Sequence, residues 1–180
     1  MKEEVLRYLG VKVSDERTEA TIDEMTKACE HIEGIETHRC FDCVFTEEGL
    51  VLSGTGTVLK GNMVRKHFGG CGKTVIVLAT LGLKSEILFK RIFSLNAGKG
   101  VVLDAVYTDK IECFLDETEK ELRKEYGEIT ERISCGYGDL PIETQAELYE
   151  LLNGERLGVK INDCYMLTPN KSVIALVGVK

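Results

Sequence analysis

No run of apolar residues in this 180-residue chain is long enough to cross a bilayer. The longest, Val75 to Leu83, falls well short of the roughly 20 residues that a membrane helix needs. The opening Met1-Lys-Glu-Glu-Val-Leu-Arg reads as the start of an acidic amphipathic helix, not as a secretory leader. Basic charge is scarce: 23 Lys and Arg against 30 Asp and Glu leave a net charge of −7. That excludes the broad cationic face of a nucleic-acid-binding protein, so any anionic ligand must be held by local geometry. Repeats, low-complexity segments and long linkers are missing too. With no secretory leader, seven irregularly spaced cysteines point to free thiols in a reducing cytoplasm.

What remains reads as one α+β domain over residues 1–180, with N-terminal helices in about 1–33 and a ligand-binding core in about 70–180. A short helix is expected over 3–9 and a second over about 18–31, capped by Ser14 or Asp15. Strand-like pieces follow at Cys43–Phe45, Leu50–Leu52 and Thr57–Leu59, then a short helix over Asn62–Phe68. Thr74–Leu81 is apolar throughout and is the best candidate for a central buried strand. Helices are expected over 84–94 and 100–126. The second carries an apolar stripe at Leu103, Tyr107, Ile111, Phe114 or Leu115, Thr118 and Leu122, and Glu117, Glu119 and Glu121 on faces that see water. A short strand at 132–134 precedes a helix that Asp139 would cap, with Pro141 in its first turn, ending near Asn153-Gly154. Val159–Met166 and Ser172–Val177 are the last strand candidates, hinged at Thr168-Pro169-Asn170, and the strands must meet out of sequence order.

Three constellations invite a chemical reading. Lys66–Thr74 resembles a phosphate loop superficially, but His67 stands where glycine is required, and the Gly-Lys-Thr precedes a strand instead of following one. His38, Cys40 and Cys43, with His67 or Cys71 as a fourth donor, have the residue types of a zinc site. They lack a second tight Cys/His pair, and Cys43 opens an apolar strand. The segment Arg132-Ile-Ser-Cys-Gly-Tyr-Gly-Asp-Leu-Pro141 is the most coherent. Arg132 offers a planar fork for a carboxylate, and Gly136 lets backbone near Ser134 come close to a flat ring. Tyr137 adds a face or a hydroxyl. The same ten residues also suit a plain glycine turn. Glu112, one place beyond the apolar stripe of its helix, is either a solvated carboxylate or a group that reaches into a groove beside the helix. An amino-acid carboxylate joined to an adenine would fit this equipment, and S-adenosylmethionine has both.

These residues resemble the activation domain of vitamin B12-dependent methionine synthase. The likeness lies in Arg132-Ile-Ser-Cys-Gly136-Tyr137 with Pro141, in Gly158-Val-Lys-Ile-Asn-Asp-Cys-Tyr-Met-Leu-Thr-Pro169-Asn-Lys-Ser172-Val173, and in the helix Ile111-Glu112-Cys-Phe114. Tyr8-Leu-Gly10 and Ala79-Thr-Leu-Gly82 are similar to the family's free-standing short form. The resemblance implies a mainly antiparallel twisted sheet flanked by helices. It implies S-adenosylmethionine as ligand, with Arg132 on the methionine carboxylate, Ser134 giving backbone contacts to the adenine, Gly136 and Tyr137 shaping the wall, and Glu112 touching the ligand. It further implies a separate corrinoid-binding methyltransferase, most simply methionine synthase, as partner. That partner's cobalamin, once oxidised to cob(II)alamin, is reduced by a flavodoxin-type donor and remethylated. No catalytic residue and no metal ligand is expected of this chain. Two departures stand out: Cys135 replaces a common proline, and relatives continue past the end at Lys180 to supply another aromatic contact. Two other readings stay open, a non-catalytic docking partner of a corrinoid protein and a small zinc protein.

Overall fold

The computed structural model describes residues 2–180, so the reading of Met1 lies outside it. Two helices come first, α1 (Lys2–Tyr8) and α2 (Glu16–Ala28). Asp15 starts α2: its backbone is extended and its carboxylate accepts the Thr18 N–H at 2.7 Å. A bond of that kind satisfies one of the amide donors that a helix start leaves without a partner. The chain continues through β1 (Ile35–Phe45), β2 (Leu50–Leu52) and β3 (Val58–Leu59) to α3 (Asn62–Phe68). Then come β4 (Lys73–Thr80), α4 (Gly82–Leu95), α5 (Ala97–Tyr126) and β5 (Ile133–Ser134). The last part holds α6 (Thr144–Leu151), a 3₁₀ turn (Gly154–Leu157), β6 (Lys160–Ile161), β7 (Leu167–Thr168) and β8 (Ser172–Val179).

The main sheet runs in the order β3-β2-β1-β4-β8-β5 with every neighbouring pair antiparallel, and β6 and β7 form a separate small hairpin. The expected α+β architecture, with an antiparallel sheet flanked by helices, is therefore observed, and β4 lies inside the sheet between β1 and β8. Its side chains alternate as a pleat requires. Val75, Val77 and Ala79 pack with Leu103, Tyr107, Ile111 and Leu115 of α5 and with Ile22 and Met25 of α2. Ile76 and Leu78 pack with Val64 and Phe68 of α3 and with Leu148 of α6. Burial on both faces is why this strand reads as an unbroken apolar run. Among the described residues no helix is long and apolar enough to cross a membrane.

Several expectations need correction. Helix α5 starts at Ala97, not at 100, because Asn96 caps it by accepting the Lys99 N–H at 3.0 Å. Gly100 lies inside that helix because α4 crosses there: a Cβ would stand 2.5 Å from Phe93 Cδ2 and 2.9 Å from Phe93 Cα. The run Val159–Met166 is not one strand. The Asn162 side chain accepts the Cys164 and Met166 N–H groups, each at 2.9 Å, and turns the chain back so that β6 and β7 pair. Asp139 does not cap the helix after it. Its two oxygens accept the Asn62 and Met63 N–H groups at 2.7 and 2.9 Å, so it caps α3, while α6 starts at Thr144 without a side-chain cap.

Candidate functional site

The segment from Arg132 to Asp139 leaves the edge of the sheet and returns against α3. Ser134 is fixed by β5, which pairs with β8 at the edge of the sheet, Ser134 standing opposite Ala175. A tight turn follows: the Tyr137 N–H donates to the Ser134 carbonyl at 3.1 Å, and the Leu140 N–H to the Tyr137 carbonyl at 3.2 Å. The Gly136 N–H donates to the Leu140 carbonyl at 2.9 Å. Gly136 adopts φ 83, in the left-handed region where a side chain is strained, and an added Cβ would lie 3.3 Å from Ile142. The turn thus uses its own amides, and among the described residues the Gly136 carbonyl has no donor. Tyr137 is 59% exposed, its ring held out from the surface. Cys135 points the other way, into the core with Ile133, Leu140 and Leu148, and burial pushes its thiol up to about 12. The turn is closed here by its own hydrogen bonds, with Cys135 filling the core side of it.

Arg132 meets Glu112 across 20 positions of sequence. Its Nη2 donates to Glu112 Oε2 at 2.6 Å, and its Nη1 donates to Asp116 Oδ1 at 2.7 Å and to Glu119. Residues 112, 116 and 119 fall on one stripe of α5, at the spacing that brings helical side chains together. Burial works against the charge of the guanidinium, but the bonds to Glu119, Glu112 and Asp116 outweigh it and hold it protonated. Of its five N–H donors, the Nε–H and one Nη2–H have no partner among the described residues. The arginine is therefore both anchored and able to accept one more anion.

Glu112 and Arg132 come together, and Ser134, Gly136 and Tyr137 share one turn. No hydrogen bond joins Tyr137 to the Arg132 cluster among the described residues. Asp116 and Glu119 were not singled out as site residues, and Glu119, expected to face water, is only 17% exposed at its side chain. The signal was present in the i, i+4, i+7 spacing from Glu112.

The zinc candidate separates. Cys40 and Cys43 are three apart on β1, so they point to opposite faces. Cys43 packs with α3 and β2, while Cys40 lies against the α5 layer. Among the described residues no three His, Cys, Asp or Glu side chains are grouped so as to hold a metal ion.

At the level of sequence, no family model and no curated protein matches this chain. At the level of structure it is similar to the MetH reactivation domain in its crystal structure bound to AdoHcy, with a TM-score of 0.70 at 15% identity. The match covers 91% of this chain and 65% of that one, so the chain spans about two thirds of the length of that structure. The resemblance read from the sequence holds at the level of the fold: this is the fold of a methionine synthase reactivation domain.

Proposed function

We propose that this chain, having the fold of the MetH reactivation domain, is a reactivation module that binds S-adenosylmethionine and serves a corrinoid-dependent methyltransferase, methionine synthase. The observation that carries the reading is Arg132, held by Glu112, Asp116 and Glu119 with two N–H donors to spare. Those two donors would take the methionine carboxylate of the ligand, as a guanidinium fork suits a carboxylate. Glu112, 40% exposed at its side chain, would accept the ammonium. The free Gly136 carbonyl would take the exocyclic amine of adenine, with Ser134 fixing the start of the turn and the exposed Tyr137 ring covering one side.

The sulfonium of this ligand is already an activated methyl donor, so the protein's tasks are to orient it and satisfy its polar ends. No acid or base is needed from the chain. The corrinoid belongs to the partner, whose cob(II)alamin would be remethylated with an electron from a flavodoxin-type donor. Titration calorimetry with S-adenosylmethionine tests the binding. Arg132→Lys keeps the charge but loses the fork, and is expected to weaken binding roughly tenfold or more, while Tyr137→Ala weakens it with the melting temperature unchanged. Equal affinity of Arg132→Lys and wild type would remove the carboxylate clamp from the account.

A second reading rests on the same ion pairs. Three carboxylates on one arginine also tie the edge strand β5 to α5, as they would in a docking scaffold that binds no small molecule. Absorption spectra of an inactivated corrinoid partner with reductant and S-adenosylmethionine separate the two. Return of the methylated cobalt spectrum only when this chain is added supports the module, and no return favours the scaffold.

A further inference from the structure

Resting on the reading just proposed, we infer that Asp116 and Glu119 tune the Arg132 site to the positively charged sulfonium form of its ligand and against the neutral thioether, S-adenosylhomocysteine. One carboxylate is enough to orient a guanidinium, yet three converge on Arg132. Arg123 lies 3.6 Å from the other oxygen of Glu119 and also donates to the Ile129 carbonyl. Three carboxylates against two guanidinium groups leave one unit of negative charge at the site.

The amino-acid end of either ligand brings one positive and one negative group, and so leaves that surplus untouched. The sulfonium stands four bonds from the ligand's carboxylate carbon, so with the carboxylate on Arg132 its charge falls within about one Debye length of the surplus. S-adenosylmethionine cancels the excess and S-adenosylhomocysteine does not. Glu119 and Arg132 are mostly shielded, with 17% and 25% of their side chains exposed, and a charge attracts more strongly there than across bulk water. A preference on the order of tenfold for the sulfonium ligand follows. The substitutions Asp116→Asn and Glu119→Gln keep the shape of each side chain and remove the charge. By that count either substitution alone cancels the surplus and makes the site nearly indifferent, and the pair leaves one unit of positive charge and turns the preference toward S-adenosylhomocysteine.

The experiment is calorimetric titration of the full chain with both ligands, at low salt and at high salt. Wild type is expected to prefer S-adenosylmethionine by about tenfold at low salt, and salt should narrow the gap by weakening that ligand more than S-adenosylhomocysteine. The Asp116→Asn variant should bring the ratio near one while still binding S-adenosylhomocysteine, and the Asp116→Asn/Glu119→Gln variant should reverse it. Equal affinities in wild type, or a ratio indifferent to salt, overturn the inference and leave the proposed ligand site standing. Binding of neither ligand by wild type overturns the ligand site and, with it, the inference. The salt series needs no variant, so misfolding of a variant cannot shelter the proposal.

Discussion

Arg132 illustrates how one side chain can be structural and available at once. Its bond to the shielded Glu119 is charge-assisted and of a kind that contributes about 1.5–3 kcal/mol when broken singly. Those to the more exposed Asp116 and Glu112 are screened by water and contribute less than about 1 kcal/mol each. Half of this cluster was legible in the sequence: Arg132 stood out for its glycine-rich surroundings and Glu112 for its place beside the apolar stripe. Glu119 was not, because it sits among alternating charges that pattern alone assigns to water. Cys135 gives a second residue-scale expectation. Its thiol is buried and held neutral, so it should resist alkylation in the native protein while the exposed Cys164 reacts readily. Cys113 is exposed too, but burial and the neighbouring Asp109 and Asp116 raise its thiol, so it should react more slowly than Cys164. Mass spectrometry of a timed alkylation checks this, and rapid native modification of Cys135 would mean that the turn opens.

At the scale of elements, Asp139 shows why a local pattern misassigns a cap. An aspartate followed by Leu-Pro and a helical run has the signature of a helix start, but the N–H groups it caps belong to α3, 77 and 76 positions away. No periodicity reports a cap supplied across the fold. The bonds from Met63 and Asn62 lower the carboxyl's pKa below its ordinary value. The stability they add is therefore present above the unfolded-state pKa of about 4 and is lost as pH falls through the lower folded value. Thermal melts from neutral to acidic pH should find Asp139→Ala less stable than wild type at pH 7, with the difference narrowing on acidification. A constant difference would assign the loss to packing. Gly100 makes a prediction of opposite sense to helix propensity. Glycine to alanine within a helix usually stabilises by about 0.5–1 kcal/mol, but here the new methyl would meet Phe93, including its backbone. Gly100→Ala should lower the melting temperature, and a rise would show that α4 yields freely.

The molecule as a whole is a sheet covered on both faces, and that much was readable from β4. An apolar run of strand length with helices on either side in sequence has few other solutions. The strand order was not readable, since β8 reaches the β4 edge only after the chain has run through α4, α5, β5 and α6. Leu78, fully buried at the centre, measures the integrity of this arrangement: Leu78→Ala should cost about 2–5 kcal/mol in chemical denaturation. Much smaller losses would mean that the layer of α3 and α6 packs more loosely than described.

All of these bear on the frame around the proposed ligand site, and one determination bears on the site itself. It is the crystal structure of this chain with S-adenosylmethionine bound. The account predicts the methionine carboxylate on the Nε and Nη2 of Arg132, the ammonium against Glu112 and the adenine at the turn that holds Ser134, Gly136 and Tyr137. Ligand bound elsewhere, with the Arg132 cluster unchanged and empty, would contradict it.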